Sequence, residues 1–307
     1  MSNSNSAKVR GREMGPIARA SLFYAEMAKY RNEGISTLTS RKTSDIEKLR
    51  TRVWATTVAC AADEHSPDRL ERLINERLGL DDKDETGIWR RYLAGTAKAF
   101  LKRAVKPNSE GVKGAEKIYP NSSRWFYSPI WFLLEDREFL PSEILQCVKL
   151  LPQSMQDQLL LTGLETTTAG FLLAEVSSHT LFQLSMRPST WSLGAMACVM
   201  RRAELSGNPP LFRRAGIGII WNLEQLIPTE PEPLRAVLTL LLNKVKKDLD
   251  ERIYPASGPV IFPIEERDLQ KFRQGVEHWR EIDHAYAVGN FELASECTKR
   301  VFVEFPV

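Results

Sequence analysis

Nine cationic side chains between Gly87 and Arg124 are the residues of this chain best placed to do chemistry: Arg90, Arg91, Lys98, Lys102, Arg103, Lys106, Lys113, Lys117 and Arg124. Only Glu110 and Glu116 oppose them, so the stretch carries +7 (nine minus two), whereas the whole chain carries +3. The remainder therefore sums to −4 (3 − 7). Lys and Arg neutralise phosphates and release condensed counterions, so such a cluster is the electrostatic footprint of a nucleic-acid contact. Trp89, Tyr92, Phe100 and Tyr119 are interleaved with the cations. On a helix advancing about 100° per residue, Arg91, Lys98 and Lys102 lie near each other, with Lys106 beside Lys102 and Arg103. Trp89, Tyr92, Leu93 and Phe100 mark the opposite, core-facing side. The same pattern also suits a solvated amphipathic helix that binds nothing.

A second cationic group precedes it. Eleven Lys and Arg residues from Lys8 to Arg52 stand against five acids, or +6. A flexible basic arm ahead of a basic domain suits nucleic acid, and it equally suits a solvated terminus. Beside Arg124, the group Trp125, Phe126, Tyr127, Trp131 and Phe132 could stack single-stranded bases. Burial of these rings as hydrophobic core is the favoured reading.

Catalytic chemistry is poorly represented. The four histidines are His65, His179, His278 and His284. Glu281 and His284 form one Glu-x-x-His, and a di-iron bundle needs two such pairs plus two further inward glutamates. The flanks of this pair read as ordinary amphipathic helix. No GxxxxGK[ST] occurs, and Gly216-Ile217-Gly218 lacks the strand and third glycine of a dinucleotide site. No G-x-S-x-G nucleophile elbow occurs either. No catalytic residue, metal or cofactor is therefore expected, and a non-enzyme is favoured. Cys60, Cys147, Cys198 and Cys297 are far apart in apolar contexts, which predicts buried small hydrophobes in place of disulfides.

These residues must be positioned by helices. The chain has 307 residues, 43% apolar and 26% charged, the balance of an ordinary globular core. Its longest apolar runs fall short of a membrane span, and its first residues are polar and basic with no apolar signal segment, so a cytoplasmic protein with no membrane contact is expected. Helical periodicity runs nearly throughout, and the fold class read from it is all-α. The spacing predicts helices over about 16–32, 46–62, 68–78 and 88–105, then a short one within 108–119. Further helices are expected over 125–134, 140–151, 155–163, 167–186, 190–206, 210–226, 232–252, 265–288 and 290–303. Residues 258–263, flanked by prolines, read as an extended connector. The charge shift divides the chain into a disordered basic tail (1–14), a basic helical domain (15–124) and a larger apolar helical domain (125–307) ending in an αα-hairpin.

Two partial resemblances follow. Over residues 68–120, an apolar helix ends in Leu78-Gly79-Leu80, a loop follows, and then come Gly87-Ile88-Trp89-Arg90-Arg91-Tyr92-Leu93-Ala94-Gly95 and Pro107-Asn108-Ser109. This order resembles the helix-turn-helix of phage-repressor-type domains, whose second helix enters the major groove. The resemblance implies that Asp84, Glu85, Thr86, Arg90 and Arg91 begin a DNA-facing helix, with Trp89 and Tyr92 in the core. Over residues 285–306, Gly289, Phe291, Ala294, Val301 and Pro306 resemble part of one tetratricopeptide-like hairpin. The expected function is a non-catalytic nucleic-acid-binding or regulatory protein. The alternative is a helical protein–protein adaptor or assembly subunit. Expected partners are accordingly DNA or another nucleic acid, or a protein, including a second copy of the chain.

Overall fold

The computed structural model describes residues 45–80, 86–97, 99, 111–135, 139–160, 176, 178–251 and 264–304. Among these residues the regular elements are helical and none is a strand, so the fold is all-α. The helices are α1 (Asp45–Ala62), α2 (Pro67–Arg77), α3 (Ile88–Leu93), α4 (Gly111–Ile118), α5 (Ile130–Leu133), α6 (Pro141–Lys149) and α7 (Gln153–Leu159). There follow α8 (Ser178–Met186), α9 (Thr190–Leu205), α10 (Pro209–Leu226), α11 (Glu232–Glu251), α12 (Glu266–Ala287) and α13 (Phe291–Glu304). None of them is long and apolar enough to cross a membrane. The expected helix at 16–32 and the connector at 258–263 lie outside the described residues.

Helix α9 is the centre. Leu193 through Arg201 are all buried, on every side of the helix. Helices α5, α6, α7, α8 and α10 pack around it. A helix apolar all round is stable only when enclosed in this way. Its start is fixed locally, because the Ser189 side chain accepts from the Ser192 N–H at 3.0 Å. At its other end the Asn208 side chain accepts from the Leu211 N–H at 3.1 Å and opens α10.

Enclosure forces the polar groups to find partners inside. Ser192 Oγ donates to Asn222 Oδ1 at 2.9 Å, and Asn222 Nδ2 donates to Gly218 O at 2.8 Å and to Ser185 Oγ at 3.2 Å. These fully buried side chains join α8, α9 and α10 at one node. Arg201, also fully buried, donates to Glu204 at 2.6 Å and to the Glu135 carbonyl, and its guanidinium lies 4.5 Å above the Phe139 ring. Glu135 and Phe139 are thereby held against α9.

Within the span 125–134 the helix starts only at Ile130, where the Ser128-Pro129 bend predicts a start. Residues 121–127 form successive turns, and only Ile130–Leu133 are helical. The Trp131 indole N–H donates back to the Trp125 carbonyl, and Pro129 fits against Gly194 of α9. A Cβ on Gly194 would lie 2.9 Å from Pro129 Cδ, so this crossing needs glycine. Trp125, Phe126, Tyr127, Ile130 and Trp131 are all buried. They are core, which removes base stacking by them.

Three other expected helices also change. The one over 88–105 stops at Leu93: Gly95, at φ +67°, donates to the Tyr92 carbonyl at 3.0 Å, and Thr96 donates to the Arg91 carbonyl at 2.9 Å. This left-handed C-terminal cap ends the helix whatever periodicity follows. The helix expected over 155–163 ends at Leu159; of that expected over 167–186, Ser178–Met186 are helical and Val176 is not, while 167–175 lie outside the described residues.

Helix α1 joins the two regions that charge divides in the sequence. It packs against α3 on one side of the 124/125 step and against α5 and α11 on the other. Trp54 is its anchor, with ring centroids 5.2 Å from Trp89, 5.5 Å from Tyr92 and 5.8 Å from Phe126.

Two measurements check this packing. Asn222→Ala strands buried hydroxyls and opens a void, and it should cost about 2–4 kcal/mol in urea denaturation. Gly194→Ala forces a methyl onto a stiff pyrrolidine ring and should cost about 1–3 kcal/mol, with the helical circular dichroism retained.

Candidate nucleic-acid interface

Helices α3 and α4 carry Arg90, Arg91, Lys113 and Lys117 of the basic stretch, and α2 packs against both. Helix α2 starts with Pro67 in its first turn and ends at Gly79, whose N–H donates to Glu76 O at 3.0 Å while Leu80 donates to Asn75 O at 2.8 Å. Leu70 and Ile74 are its core face. Glu71 is buried beside them, where a carboxylate requires strong donors. Thr86 supplies two: its N–H at 2.7 Å and its hydroxyl at 3.1 Å. This fixes the chain entering α3, and it gives Thr86 an internal task.

Trp89 and Tyr92 are buried, as the helix-turn-helix resemblance implies. Arg90 and Arg91 are exposed on the other side of α3. Arg90 is turned back onto α2, with both Asp68 carboxylate oxygens accepting from it at 2.8 and 3.1 Å. At the far end of α2, the Arg77 guanidinium lies 5.1 Å above the Tyr119 ring, just past α4. Lys113 and Lys117 are exposed on α4. Lys98, Lys102, Arg103 and Lys106 lie outside the described residues, as do Asp84 and Glu85.

Arg124 sits elsewhere. It donates to both oxygens of Glu230, at 2.6 and 2.5 Å, and the Trp125 indole N–H lies 3.4 Å from the same carboxylate. Its charge ties the aromatic segment to the turn before α11. Glu116 is likewise committed, accepting from the N–H groups of Asn121 and Ser123 at 2.7 and 2.8 Å.

Sequence reasoning passed over Arg69, Arg72 and Arg77. All three are exposed, Arg69 and Arg72 on the side of α2 away from Leu70 and Ile74 and Arg77 at its C-terminal end on the same side as those two. Their signal was present in the spacing of α2, but nearby Asp68, Glu71 and Glu76 cancel the local charge sum. Burial of Glu71 and pairing of Asp68 change that balance at the surface.

Elsewhere, His278 Nδ1 lies 3.5 Å from Glu281, within one helix. Among the described residues no three potential ligands gather at a metal site. None of the four cysteines is in a disulfide; Cys147, Cys198 and Cys297 are buried and Cys60 is half-buried. Burial pushes the Cys60 thiol up, and the Glu230 carboxylate adds to it; burial pushes Cys198 up much further.

A thiol reagent at pH 8 should therefore label Cys60 first and more slowly than free cysteine, with all four reacting only in denaturant. The two arginine pairs should also separate in stability. Arg90→Ala breaks a solvent-exposed pair and should change stability by less than about 1 kcal/mol. Arg124→Ala leaves Glu230, with 9% of its side chain exposed, short of its main donor and should cost about 2 kcal/mol in urea denaturation. No protein-family model, curated protein or solved structure matches this chain, so its surfaces carry the functional argument.

Proposed function

We propose that the chain binds nucleic acid, without catalysing a reaction on it, through the surface built on α2. The observation that carries this reading is the alignment of cations along that helix. The Asp68 pair sets Arg90 at its start, Arg69 and Arg72 follow on its exposed side, and Arg77 lies at its end over the Tyr119 ring. At 1.5 Å per residue, the 11 residues of α2 span roughly 16 Å, enough to follow several phosphates of a duplex. In sequence, Lys98, Lys102, Arg103 and Lys106 fall between α3 and α4 and add to the same charge. The exposed Arg90–Asp68 pair is weak enough for a phosphate to replace the carboxylate. On this reading α2 and α3 take the places of the helix-turn-helix pair, and backbone contact outweighs base readout.

A second reading, a protein–protein adaptor, is favoured by the C-terminal hairpin. Tyr286, Val288, Phe291 and Leu293 leave large apolar surface in water within eight residues. Other exposed large apolar residues, Leu140, Leu205 and Leu240, stand apart in sequence, as scattered surface residues do.

Fluorescence anisotropy with a DNA duplex and a matching single strand tests the first reading. The full chain should bind at low salt, and the combined substitutions Arg69→Glu, Arg72→Glu and Arg91→Glu should weaken binding at least about tenfold and lower the salt slope by about 2–3. Absence of binding by the unaltered chain at low salt would end this reading.

A further inference from the structure

Two helices meet at the Gly289 turn. Gly289 adopts φ +74°, the Asn290 N–H donates to Ala285 O at 2.9 Å, and the Asn290 side chain accepts from the Leu293 N–H at 3.1 Å to open α13. Ala294 and Cys297 are buried on the inner side of α13. The outer side and tip hold what the hairpin does not bury. Tyr286 is 54% exposed and Phe291 69%, with their ring centroids 6.1 Å apart in an edge-to-face pair across the turn. Val288 and Leu293 adjoin them in the chain. An aromatic side chain carries about 150–250 Å² of surface, so these four residues expose roughly 400 Å².

The acidic and basic residues nearest this patch in sequence are of one sign. Residues 281–296 contain Glu281, Asp283, Glu292 and Glu296 and no Lys or Arg. All four acids are exposed. Arg280, the nearest cation upstream, donates to the Met186 carbonyl at 3.2 Å.

The size and charge together select the occupant. A stable dimer buries about 800 Å² per partner, about twice this patch, and a symmetric pair of tips would set acids against acids. An anionic lipid surface is repelled for the same reason. A segment with apolar anchors flanked by Lys or Arg satisfies both the rings and the carboxylates.

Resting on the adaptor reading, we propose that the α12–α13 tip is a docking surface for a basic amphipathic helix of a partner protein. Tyr286 and Phe291 are the anchors, pre-organised by their mutual contact. Asp283 and Glu292 supply charge selection and speed the encounter.

The test uses the full chain and a labelled amphipathic Leu/Lys peptide of roughly 14 residues, about four helical turns. A Leu/Glu peptide of equal length, phosphatidylserine vesicles, and sedimentation of the chain alone are the other arms. The Leu/Lys peptide should bind saturably and weaken with salt. Binding should fall at least tenfold in the double variant Tyr286→Ser/Phe291→Ser and several-fold in Asp283→Lys/Glu292→Lys, with thermal unfolding unchanged because all four side chains are exposed. Equal binding by these variants overturns the proposal. So does vesicle binding, or self-association, that the ring variant abolishes. Binding of the Leu/Glu peptide at the tip overturns the basic partner while leaving the adaptor reading intact. If neither peptide binds, both fall.

Discussion

Enclosing α9 on all sides is the constraint on which the rest of this structure depends. A helix without a solvated face removes every polar group on it from water, and each must then be bonded or cost free energy. Ser192 meets this demand through Asn222, and Arg201 meets it through Glu204 and the Glu135 carbonyl. Both solutions join α9 to other elements, so satisfying the helix also arranges its neighbours. The Asn222 node fixes α8 and α10 against α9. Arg201 fixes Glu135 and Phe139 against it.

The same enclosure reaches the basic surface through packing. Pro129 seats on Gly194, which sets the aromatic turns beside α9. Phe126 in those turns meets Trp54 of α1, and Trp54 meets Trp89 and Tyr92 of α3. Arg90 and Arg91 then have one direction left, outward. The cations of α3 are thus oriented by an aromatic core that begins outside their own segment. The Arg124–Glu230 pair reinforces the joint, drawing one of the cations of the basic stretch into the architecture.

Several features were legible in the residues. Pro67 and Gly79 bound α2, Ser189 opens α9, and Gly289 makes the hairpin turn; each signal is local, so sequence suffices. The helix through 88–105 misled because periodicity continues past a residue whose backbone conformation stops it. Gly95 was visible, but its left-handed conformation needs the Tyr92 and Arg91 carbonyls in place. The proposed interface was half legible. The cluster from Arg90 to Lys117 stands out as net charge, whereas the α2 arginines are hidden by acids that only folding pairs or buries.

By itself, the sequence determined the helical class, most helix limits and the total charge of each stretch, because these follow from local backbone preference and counting. Tertiary structure decided which charges face water. It buried Glu71, tied Arg124 to Glu230, and enclosed Trp125, Phe126, Tyr127 and Trp131 as the core that the sequence reading favours. It also left Tyr286 and Phe291 uncovered. Side chains alike in a one-dimensional pattern differ by what the fold brings across from them, and long-range contact is the one quantity that spacing along a chain does not contain.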